Sequence, residues 1–280
     1  MNADAPRRIR LCADDYGISP GVNHAIRDLV ARRRVNTVSA MVVAPHFSAA
    51  EADTLAAAAS NHAAIGLHLT LTGPFKPLSQ GFAPLADGAF LPLAATMVRA
   101  HLRMLHCERM RIEIAGQIEA FTQAFGRAPD FIDGHQHVQL FPQVSETLLQ
   151  VVKSTKRSDT FWLRQCGRAL SLRQRLADPK ALLLDVLSAR FRRLAARANI
   201  KVNSAFAGAY TFDQDTDYAK LFPSFLDHLP DSGVVMCHPG RADSELRRLD
   251  PLTDLREREY EFFLSDDFLR LLQDRGFVLA

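Results

Sequence analysis

Short apolar runs alternate with amphipathic segments along most of the chain. Runs rich in β-branched residues and bounded by Gly, Pro or Asp are typical of buried strands, whereas apolar residues that recur every three or four positions are typical of helices. We predict strands, some continuing into loops, in RIRLCADD, NTVSAMVVAP, AIGLHLTLTG, PDFIDGHQHVQLFP, TFWLRQ, NSAFAGAYTF and SGVVMCHPG. We predict helices that begin at Pro20 and cover about 48–60, 107–126, 142–156, 169–200, 215–228 and 255–273.

The order of these elements predicts the fold class. Strands that alternate with helices form a mainly parallel sheet, and the absence of a Gly-rich nucleotide turn favours an α/β barrel over an open Rossmann sheet. We expect one domain over residues 1–280, because no repeat or low-complexity tract divides the chain. The irregular stretch 73–92 is long for a loop in a compact domain, and we expect it to be a substrate loop.

Composition narrows the class of protein. Apolar residues make up 48% of the chain, charged residues 23%, and the formal net charge is +3, which gives no reason to expect a nucleic-acid partner. No apolar run is long enough for a transmembrane helix, and the first residues lack a signal-peptide pattern, so we expect a cytoplasmic protein. The four cysteines form no C-x-x-C pair and are expected to be free thiols.

Polar residues follow four of the predicted strands. The carboxyl ends of parallel strands in a barrel meet at one face, so residues far apart in the sequence can form one site there. The candidates are Asp14, Asp15, His68, Asp133, His135, His137 and His238. In a strand, the two histidines of HQH would face the same way.

These residue types supply the parts of a metal-dependent hydrolase. One carboxylate and two imidazoles can hold a divalent ion and leave positions open for water and substrate. If one of two adjacent carboxylates binds the metal, the other can take a proton from a metal-bound water. A histidine on the opposite rim can then protonate a leaving group. The set therefore predicts hydrolysis of an amide or an ester.

The motifs that carry these residues are also recognisable together. CADDYGISPGVN, GLHLTLT, FIDGHQHVQLFPQV and CHPG resemble, in order and spacing, the YdjC-like carbohydrate deacetylases, which include chitooligosaccharide deacetylases and hopanoid-biosynthesis-associated deacetylases. The resemblance covers about residues 8–240 and implies a distorted or incomplete TIM-like (β/α) barrel that removes acetyl groups from N-acetylated sugars. The first motif departs mildly from the family, which commonly has Phe where this chain has Tyr16.

The resemblance also implies roles for single residues. Asp15, His68 and His135 match the metal ligands, Asp14 the general base, and His238 the acid that protonates the departing amine. It places His137 beside the metal or against the substrate. Arg164, a weaker match, would contact the sugar or keep Asp14 ionised through its charge, and Asp133 completes the expected substrate-binding group.

The sequence leaves alternatives for the identity of the metal and of the substrate. The family is described with Mg²⁺, whereas two imidazoles and one carboxylate suit Zn²⁺ better. The substrate is expected to be an N-acetylated oligosaccharide or a lipid-linked glycoside such as a glycosylated hopanoid, and a homodimer is an open alternative to a monomer. Phe75, Phe82 and Phe90 in the substrate loop either stack on the substrate or anchor the loop on the barrel.

A basic segment bears on where the protein acts. Residues 164–201 contain ten Lys or Arg and two Asp or Glu, and we expect a basic helical insertion near 169–200. In the helix 181–198, Leu183, Leu187 and Phe191 share one face. We favour a barrel helix with a solvated basic side; the alternative is peripheral contact with anionic lipid at the inner membrane face.

Two other functions fit part of the pattern. An amidohydrolase or phosphoesterase barrel also uses H-x-H, although usually on an early strand, and would release phosphate rather than acetate from a phosphorylated substrate. A non-catalytic protein that binds a sugar or a lipid head group is the third hypothesis, but it would be expected to have lost a ligand, the acid or the base, and every such position is filled here.

Overall fold

The computed structural model describes residues 5–155, 157–169 and 179–279. The strands are β1 (Arg7–Tyr16), β2 (Thr37–Ala40), β3 (Ala64–Leu69), β4 (Leu85–Ala86), β5 (Ala89–Phe90), β6 (Phe131–Gly134), β7 (Trp162–Leu163), β8 (Phe206–Ala207), β9 (Gly233–Cys237) and β10 (Phe277–Leu279). The helices are α1 (Pro20–Ala31), α2 (Ala49–Ala59), α3 (Leu93–His101), α4 (Cys107–Phe125), α5 (Pro142–Ser154), α6 (Pro179–Arg197), α7 (Tyr218–Leu226), α8 (Ser244–Leu249), α9 (Asp254–Leu264) and α10 (Asp266–Asp274), with a 3₁₀ segment over His135–Leu140.

The main sheet is parallel and curls into a distorted barrel. Its strand order is β7-β6-β3-β2-β1-β9-β8, and β10 pairs with the beginning of β1. The two ends of this order approach each other: Leu163 forms a parallel bridge with Val202, and the Phe206 N–H donates to the Gly167 carbonyl at 3.1 Å. The predicted α/β barrel is therefore confirmed, and the ends of its strands face one common cavity.

The sheet is buried because helices cover its outer face. Every residue of β2, β6 and β9 is buried, as is typical of a parallel sheet covered by helices, and β9 accordingly reads as a continuous apolar run. Helix α1 begins as predicted, with Pro20 in its first turn and the Ser19 hydroxyl accepting from the Val22 N–H at 3.3 Å. These caps fix the turn that follows the two aspartates of β1.

Several predicted elements differ from the structure. The predicted helix 255–273 is two helices, α9 and α10, because the Ser265 hydroxyl accepts from the Phe268 N–H and starts a new helix. The stretch 73–92 contains a small hairpin of β4 and β5, and α3 and α8 were not predicted. HQH does not continue the strand: Gln136 and His137 adopt left-handed φ values of 53° and 58°.

The basic helix α6 packs its apolar side against the barrel. Leu187 is 5% exposed and Phe191 is fully buried, whereas Leu183 of the predicted face is 44% exposed. Arg192 donates to the Gln165 side chain at 3.0 Å, so part of the basic side is engaged within the protein. Residues 170–178 of the predicted insertion lie outside the described residues. In the described part of the chain, no helix has both the length and the apolar character needed to cross a membrane.

Candidate metal centre and active site

The end of β1 turns two adjacent carboxylates towards the same space. Asp15 has a φ of +68°, and the pairing of β1 with β2 shifts register between Ala13 and Tyr16. Neighbouring side chains of a regular strand point to opposite faces, and this local irregularity removes that constraint. Asp14 and Asp15 are each 1% exposed and both line the cavity at the carboxyl ends of the strands.

Asp15, His68 and His135 form a compact group of three donors. The Asp15 Oδ1 atom lies 3.3 Å from His68 Nε2 and 3.0 Å from His135 Nδ1, and donor atoms of the three residues all lie within 4.8 Å of one another. Ligand atoms around a tetrahedral zinc ion are about 3.3 Å apart, given bonds of about 2.0 Å. The group therefore fits a divalent metal in both residue type and spacing.

A buried carboxylate orients His68. Asp133 lies 2.6 Å from His68 Nδ1 through Oδ1, and the Ser39 hydroxyl donates to the same oxygen at 2.5 Å. This contact leaves Nε2 to face Asp15, which is the arrangement found behind metal-bound histidines. Burial by itself lowers the pKa of His68, but the charges of Asp133 and Asp14 outweigh it and raise that pKa to about 10.

Arg164 binds Asp14 through both guanidinium arms. Its Nη1 and Nη2 atoms lie 2.8 and 2.7 Å from the two Asp14 oxygens, and Nη1 also lies 2.9 Å from Asp133 Oδ2. Burial alone raises the pKa of Asp14, but the charges of Arg164 and His68 outweigh it and lower that pKa to about 2. Arg164 and Asp133 are both fully buried and do not line the cavity. Each therefore lies behind a side chain that lines the cavity, Arg164 behind Asp14 and Asp133 behind His68.

The guanidinium of Arg164 also lies within a second group of possible metal ligands. Cys12, Asp14 and Asp133 also bring donor atoms within 4.8 Å of one another. Arg164 Nη1 lies among them, 3.7 Å from Cys12 Sγ and within hydrogen-bonding or ion-pair distance of both carboxylates. A buried cation is already present there, so this group does not fit a metal.

The sequence interpretation missed Arg256. This fully buried residue at the beginning of α9 donates to Asp15 Oδ2 at 2.6 Å and to Asp250 Oδ2 at 2.8 Å. Burial raises the pKa of Asp15, but the Arg256 and His135 charges outweigh it and hold that pKa well below its usual range. A signal was present: Arg256 and Glu259 are spaced so as to share the buried face of their helix with Phe263.

The carboxylates around the candidate metal centre outnumber the guanidiniums that pair with them. Asp14, Asp15 and Asp133 are at most 1% exposed, and the Asp250 side chain is 17% exposed. These four carboxylates face the two guanidiniums of Arg164 and Arg256. When His68 is neutral, as a metal ligand must be, the remaining two negative charges match the two positive charges of a divalent cation, which supports the fit of a metal to this centre.

His238 lies on the cavity wall at the end of β9. Its main-chain N–H donates to Glu259 Oε2 at 2.5 Å, and the Tyr210 hydroxyl donates to Glu259 Oε1 at 2.8 Å. Burial raises the pKa of the Glu259 carboxyl to about 7. The Phe212 ring packs edge-to-face against the His238 imidazole with centroids 5.5 Å apart. Burial lowers the pKa of His238 to about 4 although Asp15 and Asp14 oppose that change, so its imidazole is neutral at pH 7.

The cavity above these residues has a volume of about 590 Å³. The segment Asp250–Arg256 forms one wall, and Phe212, Gln214 and His137 add to the lining. Among the described residues, none between 73 and 92 lines it. Phe75 and Phe90 are at most 4% exposed, with the Phe75 ring 5.6 Å from that of His135, so the geometry favours anchoring of the loop on the barrel over stacking on a substrate.

The chain resembles known proteins over most of its length. A model of the YdjC-like protein family matches residues 8–274. The chain belongs to the YdjC-like family. A chitooligosaccharide deacetylase of Escherichia fergusonii is 28% identical over 275 residues, which span 96% of this chain and 95% of that protein.

Two solved structures support the fold of this YdjC-like protein. A structure from Enterococcus faecalis V583, provisionally described as a cellobiose-phosphate cleavage protein, has a TM-score of 0.72 at 23% identity and matches over 99% of this chain and 97% of its own. The lactam utilization protein of Thermus thermophilus has a TM-score of 0.54 at 14% identity, over 98% and 99% of the two chains. At these identities the likeness concerns the fold alone.

Proposed function

We propose that this YdjC-like protein is a metal-dependent carbohydrate N-deacetylase, which hydrolyses the acetamide of an N-acetylated sugar to acetate and a free amine. The observation that carries the proposal is the group formed by Asp15, His68 and His135 next to an ionised Asp14, all lining one cavity. Membership of the family and the relative named as a chitooligosaccharide deacetylase support the choice of substrate class.

The proposed ligands of the metal are Asp15, His68 and His135. A divalent ion bound there would polarise the acetyl carbonyl and make a bound water more acidic. Two nitrogen donors and one oxygen donor favour Zn²⁺ on chemical grounds, and Mg²⁺ is the alternative to test. Asp133 and Arg256 would act indirectly, since each holds one ligand by its far side.

Asp14 is the proposed base. Its low pKa keeps it ionised throughout the neutral range, so it can accept a proton from the attacking water. Arg164 holds both of its oxygens and thereby fixes the orientation of the carboxylate. We assign Arg164 the second of the two predicted roles, which is control of Asp14 rather than contact with the sugar.

His238 is the proposed proton donor to the leaving nitrogen. Hydrolysis moves one proton from water to the amine, and His238 is a titratable side chain on the cavity wall that can carry it. Because its resting imidazole is neutral, it takes up this proton during the cycle and then gives it to the nitrogen.

The lining of the cavity suits a sugar. Phe212, Pro251 and Leu252 provide apolar surface for the C–H faces of a pyranose ring, while Gln214 and His137 provide polar contacts. We propose an acetylamino oligosaccharide or a lipid-linked glycoside, such as a glycosylated hopanoid, as the substrate. Peripheral contact with an anionic membrane surface would accompany the lipid-linked case, and a homodimer is a separate alternative to a monomer.

The test is acetate release from mono- and oligosaccharides of N-acetylglucosamine and from a lipid-linked glycoside. Each substrate is incubated with metal-stripped protein, and with the same protein after Zn²⁺ or Mg²⁺ is restored. Acetate that appears only with metal supports the proposal. Phosphate release from phosphorylated sugars would favour the phosphoesterase hypothesis, whereas metal and sugar binding with no product would favour a non-catalytic protein; either result overturns the proposal.

A further inference from the structure

A contact between a thiol and an imidazole lies in the wall of the cavity. The left-handed turn at Gln136 and His137 gives the two histidines of HQH different partners: His135 Nδ1 faces Asp15, and His137 Nδ1 lies 3.4 Å from Cys166 Sγ. Cys166 is 1% exposed. The Phe206 ring packs edge-to-face against the His137 imidazole, with centroids 5.6 Å apart, and limits its rotation.

The sulfur of Cys166 has a second partner, which bears on the direction of this hydrogen bond. The Gln139 side-chain amide donates to Cys166 Sγ at 3.7 Å and to the Arg164 carbonyl at 3.1 Å. Burial raises the pKa of Cys166 to about 12, so the thiol keeps its hydrogen near pH 7. With the sulfur accepting from Gln139, its own hydrogen is left to donate, and His137 Nδ1 lies within reach as the acceptor.

The hydrogen bond at Nδ1 determines whether the other ring nitrogen of His137, Nε2, carries a hydrogen. A neutral imidazole whose Nδ1 accepts a hydrogen bond carries its own hydrogen on Nε2, and an imidazolium carries one there as well. His137 lines the cavity, and its Nε2 atom has no partner within the described residues and is not among their buried unpaired atoms. This nitrogen is therefore an available donor at the cavity wall in either protonation state.

We propose that His137 donates a hydrogen bond from Nε2 to a hydroxyl or carbonyl oxygen of the sugar, and that Cys166 is a positioning residue that fixes the hydrogen on that nitrogen. This inference rests on the proposed function for the identity of the ligand as a sugar. It makes the cavity selective for a substrate group that accepts a hydrogen bond at this point. The Gln139–Cys166–His137 chain has no part in the proton transfers assigned to Asp14 and His238.

The first test observes the tautomer itself. In the full-length ¹⁵N-labelled protein, long-range ¹H–¹⁵N correlation spectra distinguish Nε2–H from Nδ1–H imidazoles, and the His137→Gln variant identifies the signals of His137. We expect Nε2–H in the wild type and in Cys166→Ser, because the serine hydroxyl can also donate to Nδ1. In Cys166→Ala we expect a mixture of tautomers. An Nδ1–H tautomer in the wild type would overturn the proposal.

The second test separates binding from turnover. The loss of one net hydrogen bond corresponds to about a fivefold change in affinity, so Cys166→Ala should raise KM about fivefold with kcat unchanged, while Cys166→Ser stays near the wild type. His137→Gln, which keeps an N–H donor near the Nε2 position, should retain more affinity than His137→Leu. Equal KM values for Cys166→Ala and Cys166→Ser, or for His137→Gln and His137→Leu, would contradict it.

The two tests also separate this inference from the proposed function. The tautomer is measured without turnover, so a protein that releases no acetate from any substrate but shows the Nε2–H tautomer overturns the proposed function and leaves the hydrogen-bond assignment standing. Urea unfolding of Cys166→Ala provides the structural control. A fall in kcat together with the free energy of unfolding would mean that Cys166 only stabilises the fold, and would overturn its positioning role.

Discussion

Arg164 binds both carboxylate oxygens of Asp14, at 2.8 and 2.7 Å, and its guanidinium is fully buried. Lysine has a single charged nitrogen and cannot form this two-armed contact. In Arg164→Lys the pKa of Asp14 should therefore rise from about 2. Because the base works only when ionised, any acidic limb of the kcat/KM profile that Asp14 controls should move to higher pH by about 1 unit, measured with enough metal present to keep the centre loaded.

The pH profile of acetate release measures this shift. Arg270→Lys is the matched control, since the Arg270 side chain is 70% exposed and forms only a surface ion pair. An acidic limb that stays in place in Arg164→Lys would show that Arg164 does not control the ionisation of Asp14.

Metal binding should release a proton from His68. The raised pKa of about 10 means that His68 is protonated near pH 7.5 in the metal-free protein, whereas a metal ligand must be neutral. Binding should thus release about one proton at pH 7.5 and tighten as the pH rises towards 10. Calorimetric titration with Zn²⁺ in two buffers of different ionisation enthalpy counts that proton.

Asp133→Asn is the comparison for this count. Asp133 supplies the first of the charges that raise the pKa of His68, so its removal should lower that pKa and reduce the number of protons released. Equal release in the two proteins, or none in the wild type, would contradict the arrangement of Asp133 behind His68.

Glu259 should make stability depend on pH. Its pKa is about 7 in the folded protein, against 4.5 when unperturbed, so the folded state holds its proton more tightly than the unfolded state. This contribution to stability is fully present below pH 4.5 and is lost as the pH rises through 7, at a cost of at most about 3 kcal/mol. Glu259→Gln lacks the titration, so its free energy of unfolding should improve relative to the wild type between pH 4.5 and 8.

Urea unfolding of both proteins across that range checks the sign. Tyr210→Phe is a useful partner variant, because it removes the hydrogen bond to Glu259 Oε1 and keeps the carboxyl group. A difference between wild type and Glu259→Gln that is independent of pH would mean that Glu259 has an ordinary pKa.

Gly66 should be intolerant of substitution. An added Cβ would lie 2.5 Å from the ring of Phe131, which is stacked on Trp162 with centroids 4.6 Å apart and has little room to move. Gly66→Ala should lower the free energy of unfolding by about 1–3 kcal/mol. Gly116→Ala is the control: a Cβ there meets nothing within 4 Å, and the helix should gain about 0.5–1 kcal/mol. Unfolding curves that rank the two variants in the opposite order would refute this packing argument.

Much of the site was predictable because its residues lie at or just after the carboxyl ends of strands. Asp14, Asp15, His68, His135 and His238 each follow an apolar run, and the barrel brings such ends together. The divergence of His135 and His137 was not predictable, because it depends on two residues in left-handed conformation rather than on strand alternation.

The residues that contact and orient the proposed catalytic and metal-binding residues were harder to predict. Arg256 and Glu259 lie in a helix whose composition is typical of a solvated surface. Their spacing with Phe263 indicates a shared face, but the contacts with Asp15 and the His238 main chain depend on the tertiary structure. Local signals for some missed elements did exist. Asp87-Gly88 is typical of a hairpin turn, and Ser265 followed by two aspartates is typical of a helix start.

The most direct test of the account measures metal content and acetate turnover together in Asp14→Asn and His135→Gln. Asp14→Asn should keep about one metal ion per chain while turnover falls at least about 100-fold, because a base is lost and the proposed ligands remain. His135→Gln should lose metal and activity together. Full activity in Asp14→Asn, or full metal content in His135→Gln, would contradict the assignment of the base or of the metal centre.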